Sequence, residues 1–206
     1  RIYKTIDGGQ SWDTLSNGLP SGILSRVGID ILPSQPDTLF SVYVDRYYAL
    51  KGVYATYDAG AQWTNITTDL DTTMLRSFGW YFGKIRVNPY NPDHIYVLGV
   101  DMFRTTDGGQ SWHMCTPPWH NYIVHADKHD LIFLGPQNML LATDGGLYET
   151  NDNCNSWVDH ENIPVTQFYH VTYNPHSINT YWGGAQDNGT LSGDEFNYNN
   201  WQRVWG

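Results

Sequence analysis

The chain has 206 residues, a formal net charge of −10 and 40% apolar residues. This length suits a single globular unit with a buried core. The negative charge argues against a nucleic-acid partner, because nucleic-acid binding depends on clustered Lys and Arg, and no apolar run approaches the roughly 18 residues of a membrane-spanning helix.

The composition indicates an all-β chain. Nine Trp, fifteen Tyr and seven Phe stand beside 20 Gly and 10 Pro. Aromatic residues favour strands, whereas Gly, Pro, Asn and Asp divide a chain into short segments separated by turns. No stretch shows the periodicity of an amphipathic helix.

A turn motif, Thr-x-Asp-x-Gly-x-x-Trp, recurs along the chain. Its copies, with Cys154 in place of the glycine in the fourth, are Thr5, Asp7, Gly9 and Trp12; Thr56, Asp58, Gly60 and Trp63; Thr105, Asp107, Gly109 and Trp112; and Thr150, Asp152 and Trp157. We expect the aspartate to accept backbone N–H groups, the glycine to adopt a positive φ and the tryptophan to be buried. A phosphate-binding loop needs a lysine and a following helix, and an EF-hand loop needs a terminal Glu. The motif therefore predicts a structural turn.

A second pattern interleaves with these turns. Each copy runs strand, Pro-containing turn, strand, and then an aspartate, which is Asp45, Asp101, Asp144 or Asp187. Units of four short strands with a period of about 45 residues are typical of propeller blades. The sequence predicts one β-propeller domain of four-stranded antiparallel blades, with the outer half of a blade at 1–18 and blades at 19–70, 71–118, 119–164 and 165–206, the last with a degraded motif.

The repeated turn resembles the Asp box, or bacterial neuraminidase repeat, of sialidases, sortilin-type receptors and xyloglucan-cleaving glycoside hydrolases. The stretches that resemble large secreted bacterial propeller proteins are HADKHD (125–130), LLATDGGLYETND (140–152), TQFYHV (166–171) and GGAQDNGT (183–190). The resemblance implies a secreted or cell-surface protein whose Asp boxes lie on the rim, between the third and fourth strands of each blade. Such propellers usually have more blades, so we expect a segment of a larger propeller or closure with a partner.

One candidate metal site stands out in the stretch VHADKHD. If this stretch is a strand, His125, Asp127 and His129 share one face, because side chains alternate along a strand. Two imidazoles and a carboxylate can bind a metal ion. The alternative is a polar lining of the central channel that binds substrate or water, and apart from this site the sequence predicts no cofactor.

Three aspartates are candidate catalytic residues. Asp127, Asp144 and Asp187 could supply the two carboxylates of a glycoside hydrolase. The repeat favours a turn-closing role for Asp144 and Asp187, because Asp45 and Asp101 hold the same position. A sialidase also needs an arginine cluster, and no blade position is shared by Arg26, Arg46, Arg76, Arg86 and Arg104.

Aromatic clusters indicate a binding surface instead. They fall in the runs RYYAL (46–50), GWYFG (79–83), PPWHNY (117–122) and NYNNW (197–201). Flat rings stack on sugars and anchor protein partners. The predicted binding residues are His125, Asp127, His129, Gln186, Asp187 and Trp119.

The sequence as a whole favours a non-enzymatic role. The leading hypothesis is a binding or structural module for a protein or carbohydrate ligand, joined to further blades or domains of the same polypeptide. The alternatives are a glycoside hydrolase of xyloglucanase or sialidase-like type, with carboxylates partly outside the chain, and a metal-assisted hydrolase.

Overall fold

The computed structural model of the protein describes residues 1–160, 163, 165–197 and 200–205. These residues form β-strands and one short 3-10 helix, Trp119–Asn121, and no α-helix is found among them. The prediction of an all-β chain is confirmed. The chain divides into two compact units, Arg1–Asp159 and His160–Gly206.

The first unit contains a two-stranded hairpin and three four-stranded antiparallel sheets. The strands of the hairpin are β1 (Ile2–Lys4) and β2 (Asp13–Leu15). Those of the three sheets are β3 (Leu24–Ile31), β4 (Leu39–Asp45), β5 (Leu50–Thr56) and β6 (Thr64–Asn65); β7 (Lys84–Val87), β8 (Ile95–Leu98), β9 (Met102–Thr105) and β10 (His113–Met114); and β11 (Lys128–Phe133), β12 (Met139–Thr143), β13 (Gly146–Thr150) and β14 (Val158–Asp159). Each sheet pairs its strands in chain order, as propeller blades do.

The second unit contains one further sheet of the same kind. Its strands are β15 (Phe168–Asn174), β16 (Ser177–Ala185), β17 (Gly189–Asp194) and β18 (Gln202–Trp205). They too pair in chain order. The predicted propeller blades of four antiparallel strands are therefore confirmed in both units.

The first strand of each sheet in the first unit lies beside its counterpart in the next sheet, and β7 contacts both β3 and β11. Polar groups join these inner strands. Val87 N donates to Asp30 Oδ2 at 2.8 Å, and Arg86 Nη2 lies 2.7 Å from Asp130 Oδ1. The central strands β4 and β8 are buried along most of their length, because neighbouring blades cover both faces.

The meander order sends alternate turns to opposite ends of each blade. The turns between first and second strands and the Asp boxes share one end, which we call the box end. Backbone hydrogen bonds join them within each blade, from Ala59 N to Asp37 O at 2.9 Å, Gly108 N to Asp93 O at 3.1 Å, and Asn153 N to Gln137 O at 3.0 Å. The remaining turns, and the blade-to-blade connections within the first unit, lie at the other end.

Candidate functional site

Each Asp box is closed by its own side chains. In the box at 105–112, Thr105 Oγ1 donates to Asp107 Oδ1 at 2.7 Å and accepts from Gly109 N at 2.9 Å. Asp107 Oδ1 accepts from Ser111 N at 2.9 Å, and the Ser111 hydroxyl donates to Asp107 Oδ2 at 2.5 Å. The other three boxes repeat the bond from threonine to aspartate at 2.7–2.9 Å.

These hydrogen bonds stabilise the charged form of the box aspartates. The hydroxyl of Ser111, together with that of Thr105, holds the pKa of Asp107 well below its usual range. Hydrogen bonds from Ser156 lower the pKa of Asp152 to about 2. Both carboxylate oxygens of Asp107 are engaged by the turn itself, which is the geometry of a turn-closing residue.

The box glycine is also a point of contact between neighbouring blades. Gly109 has φ 94°, and a Cβ built on it would lie 2.6 Å from Ile66 Cβ. Gly60 has φ 89°, and its Cβ would lie 2.5 Å from Leu15 Cδ1. Both aliphatic residues follow the tryptophan of the preceding box by three positions. The repeat therefore packs one residue of each blade against the box glycine of the next.

The end opposite the boxes, which we call the connection face, includes residues 46–49, 67–83, 99–101, 116–127 and 144–145. Backbone hydrogen bonds cross from blade to blade here. Gly79 N donates to Tyr48 O at 3.2 Å, and Lys128 N donates to Gly99 O at 2.9 Å. These bonds bring turns that are distant in sequence into one surface.

Aromatic side chains are exposed across the connection face. Trp80 and Tyr81 are 54% and 51% exposed, with 5.5 Å between their ring centroids. Tyr81 also meets the His129 imidazole edge-on at a centroid distance of 5.6 Å. Further exposed rings on this face are Tyr47, Tyr48, Phe78, Trp119 and Tyr122. The structure thus brings together the predicted aromatic runs at 46–50 and 79–83.

A shallow cavity of about 210 Å³ opens on the same face. It is lined by Tyr47, Ala49, Thr72, Thr73, Arg76 and Ser77. The Arg76 guanidinium also lies 3.7 Å from the carboxylate of Asp101. The cavity therefore offers a ring, hydroxyl groups and one cation to a ligand.

A buried lysine lies beneath this surface. Lys128 and Asp101 are each 1% exposed, and Lys128 Nζ donates to Val100 O at 2.8 Å. Burial lowers the pKa of Lys128 to about 8, although the carboxylates of Asp101 and Asp127 oppose the shift. Asp101 Oδ1 accepts from Trp119 N at 3.0 Å. Two blades and the connection between them are therefore joined through buried polar groups.

The prediction that His125, Asp127 and His129 share one face of a strand is wrong. Strand β11 begins only at Lys128, and Asp127 has φ 64°. The pairing of β11 with β12 also shifts register directly after Lys128. A left-handed residue and a bulge both break the alternation of side chains. The ligand atoms of the three side chains do not gather within 4.8 Å of one another.

The aspartates at the end of each second strand differ in their contacts. Asp45 closes its own turn, because its Oδ1 accepts from Tyr47 N at 2.8 Å and from Ala49 N at 3.0 Å. Asp144 contacts Nε2 of His129 instead. Carboxylate oxygens of Asp127 and Asp144 come within 4.8 Å of each other on the connection face.

The remaining predicted site residues lie in the second unit. Asp187, in the turn between β16 and β17, has φ 57°. Gln186 Nε2 donates to Asp187 Oδ2 at 3.2 Å, and Asn188 Nδ2 donates to Gln186 O at 3.0 Å. Of the aromatic run at 197–201, residues 198 and 199 lie outside the described residues.

Sequence reasoning missed Arg76 as a lining residue and Lys128 as a buried group. Arg76 lies in a connection whose sequence does not recur between blades. Lys128 resembles a solvated residue between Asp127 and His129. The position of Lys128 at the start of the first strand of its blade could have indicated burial, because the hairpin at 99–101 of the preceding blade covers that position.

Four-stranded blades closed by Asp boxes define an Asp-box β-propeller. The family model described as Sortilin, neurotensin receptor 3 (Sortilin-Vps10) matches residues 51–188. The match covers more than half of the chain, and the chain belongs to the Sortilin-Vps10 family. The resemblance to a sortilin-type propeller is thereby confirmed. A search of curated proteins finds no match.

The chain is also similar to solved structures. The GH74 enzyme of Niastella koreensis is 12% identical, with a TM-score of 0.49 over 88% of this chain and 30% of that one. YCF48 from Cyanidioschyzon merolae is 18% identical, with a TM-score of 0.45 over 91% and 57%. PorZ of Porphyromonas gingivalis, a surface component of the type-IX secretion system, is 15% identical, with a TM-score of 0.42 over 87% and 26%.

The chain spans between 26% and 57% of the length of these three structures. Similarity at this level carries no information on function, because one fold serves many unrelated activities. Among the described residues, no helix has the length and apolar character to cross a bilayer.

Proposed function

We propose that the chain is a binding module of a secreted or cell-surface protein, and that its connection face takes a protein or glycan ligand. The observation that carries the proposal is the cluster of exposed rings formed by Trp80, Tyr81 and the turn at 46–49. Aromatic side chains supply much of the binding energy at protein interfaces and present flat apolar faces to sugars.

Hydrogen bonds fix the backbone that carries the exposed rings, which supports a role in binding. Tyr81 N and Phe82 N both donate to Phe78 O at 2.9 Å, and Arg26 Nη1 donates to Trp80 O at 3.3 Å. A surface held in this way loses little conformational freedom when a ligand binds. The cavity beside Tyr47 adds hydroxyl groups and the Arg76 guanidinium, which can orient a polar ligand.

Replacing Trp80 with alanine is expected to weaken ligand binding by tenfold or more, which is about 1.4 kcal/mol. The reason is the loss of a large, rigid contact surface at the centre of the cluster. Binders are first selected for the 206-residue protein from a random peptide library and from a glycan array. Their dissociation constants are then compared between wild type and the Trp80→Ala variant.

The matched control is Tyr90→Ala. Tyr90 is 56% exposed and Trp80 is 54% exposed, but Tyr90 lies in a turn at the box end. Unchanged affinity in this variant, with weakened binding in Trp80→Ala, supports the proposal. Equal effects of both substitutions, or loss only in Tyr90→Ala, contradict it. The class of selected ligand distinguishes a peptide-binding from a glycan-binding face.

A glycoside hydrolase is the second candidate, favoured by the proximity of Asp127 and Asp144. Retaining glycosidases hold two carboxyl groups about 5–5.5 Å apart. In this assignment Asp144, which contacts Nε2 of His129, is the nucleophile and Asp127 is the acid.

If the protein hydrolyses xyloglucan or a sialoside, Asp144→Asn is expected to lower the rate at least a hundredfold, because the amide cannot act as nucleophile. Release of reducing sugar measures the rate. Asp45→Asn is the control, since Asp45 holds the same repeat position but closes its own turn. Absence of hydrolysis by the wild-type chain, or equal loss in both variants, contradicts catalysis by this pair.

A further inference from the structure

The two cysteines occupy the two sides of the inter-blade contact that recurs at the box end. Cys115 follows its box tryptophan by three positions, as the aliphatic residues of the earlier contacts do, and Cys154 stands at the glycine position of the next box. The earlier pairs are Leu15 with Gly60 and Ile66 with Gly109. At this third contact, cysteine therefore occupies both the position of the aliphatic residue and the position of the box glycine.

The structure keeps the geometry of the repeat at this contact. Trp157 Nε1 donates to Cys115 O at 3.3 Å, as Trp112 Nε1 donates to Ile66 O at 2.8 Å. Cys115 is buried, and Cys154 packs against the same apolar cluster. The Cys115 thiol donates to Met102 O at 3.6 Å, and burial together with the neighbouring Cys154 side chain raises the pKa of this thiol. The two sulfur atoms are not bonded to each other in this structure.

Cys154 also adopts a backbone conformation that costs free energy. Its φ is 69°, in the left-handed region that favours glycine. Cys154 N still donates to Thr150 Oγ1 at 2.9 Å, so the turn retains its normal hydrogen bond. A cysteine at this position therefore strains the box unless its side chain makes an interaction that glycine lacks.

We propose that Cys115 and Cys154 form a disulfide that fastens the sheet β11–β14 to the sheet β7–β10. Cys154, the more exposed of the two, reacts first: its thiolate attacks a small-molecule or protein disulfide and displaces one thiolate of that donor. The Cys115 thiolate then attacks Cys154 Sγ and displaces the second. The two cysteines lose two protons and two electrons, and the donor disulfide is reduced to two thiols.

Two physical features bear on this reaction. Burial raises the pKa of the Cys115 thiol, so closure of the bond is expected to be the slower step and to quicken with pH. Disulfides persist in oxidising extracellular compartments, which agrees with the location proposed above.

The test uses the 206-residue protein after equilibration with oxidised glutathione. Free thiols are counted by maleimide labelling in denaturant, and cross-linked peptides are identified by mass spectrometry. We expect no free thiol and one peptide pair that joins Cys115 to Cys154. The oxidised protein is expected to melt on the order of 10 °C above the reduced protein, because the bond closes a loop of about 40 residues.

The control is the double variant Cys115→Ile with Cys154→Gly, which copies the pair Ile66 and Gly109. Its melting temperature is expected not to respond to oxidised glutathione, and it remains folded because the copied contact exists one blade earlier. Two free thiols after oxidation, a stable glutathione adduct on Cys154 beside a free Cys115, or equal melting temperatures of the oxidised and reduced wild type would each overturn the proposal.

Discussion

The Gly109→Ala variant is expected to lose about 3–5 kcal/mol of its free energy of unfolding. An alanine Cβ at φ 94° would lie 2.6 Å from Ile66 Cβ and 3.0 Å from Ile66 O. Ile66 cannot withdraw freely, because its carbonyl accepts a hydrogen bond from Trp112 Nε1 at 2.8 Å. Urea unfolding followed by tryptophan fluorescence measures the loss.

Gly9 provides a matched control in the first Asp box. It has φ 92°, but a Cβ there would meet only Trp12 Cζ2, at 3.7 Å. Gly9→Ala is therefore expected to cost only the conformational strain, about 1–2 kcal/mol. The difference between the two variants measures the contact between blades. Equal losses would show that backbone conformation alone restricts the box glycine.

The buried amine of Lys128 is expected to make stability rise with pH. Relative to a Lys128→Met variant, the free energy of unfolding of the wild type is expected to increase by about 2 kcal/mol from pH 8 to pH 9.5. The pKa of Lys128 is about 8 in the folded protein and 10.5 for an unperturbed lysine. Between these values the unfolded chain binds the additional proton, so raising the pH favours the folded state.

Below pH 8 the amine is charged in both states, and the cost of burying that charge is fully present. Other groups titrate nearby, since burial raises the pKa of Tyr43 to about 12 and that of the Cys115 thiol. Both groups make stability fall as the pH rises. The contribution of Tyr43 is common to both proteins and cancels in the comparison, whereas Cys115 interacts with Lys128, so its titration is part of the measured difference. Urea unfolding at several pH values measures the difference. Parallel pH profiles of wild type and variant would show that Lys128 is not the responsible group.

The pH prediction matters for function because Lys128 lies beneath the proposed binding surface. Its backbone N–H and side chain both bond to residues 99–101, and Asp101 in that hairpin accepts from Trp119 N. A substitution at Lys128 therefore acts on the position of an aromatic connection as well as on stability.

The Asp boxes could be predicted from sequence because each is local. Thr105, Asp107 and Ser111 lie within seven residues, and their hydrogen bonds need no partner from elsewhere in the chain. The recurrence of the same four residue types, with strand and turn signals between them, was sufficient for the all-β propeller. The aromatic runs were also visible, although Phe82 within one of them is buried.

The connection face could not be predicted in the same way. The alternation assumed for His125, Asp127 and His129 failed because β11 starts late and its register shifts after Lys128. Asp45 and Asp101 hold one repeat position, yet the first closes its own turn and the second accepts from Trp119 N in the next connection. The repeat position of an aspartate therefore did not determine which group its carboxylate accepts a hydrogen bond from.

The sequence by itself determined the class of fold, the strand order within each blade and the closure of the Asp boxes, because these depend on residues close together in the chain. The tertiary structure alone decided which turns meet at the connection face, that Lys128 is buried, and that Cys115 and Cys154 pack in the same apolar cluster. These features depend on contacts between blades, whose geometry is set by packing over long separations in sequence.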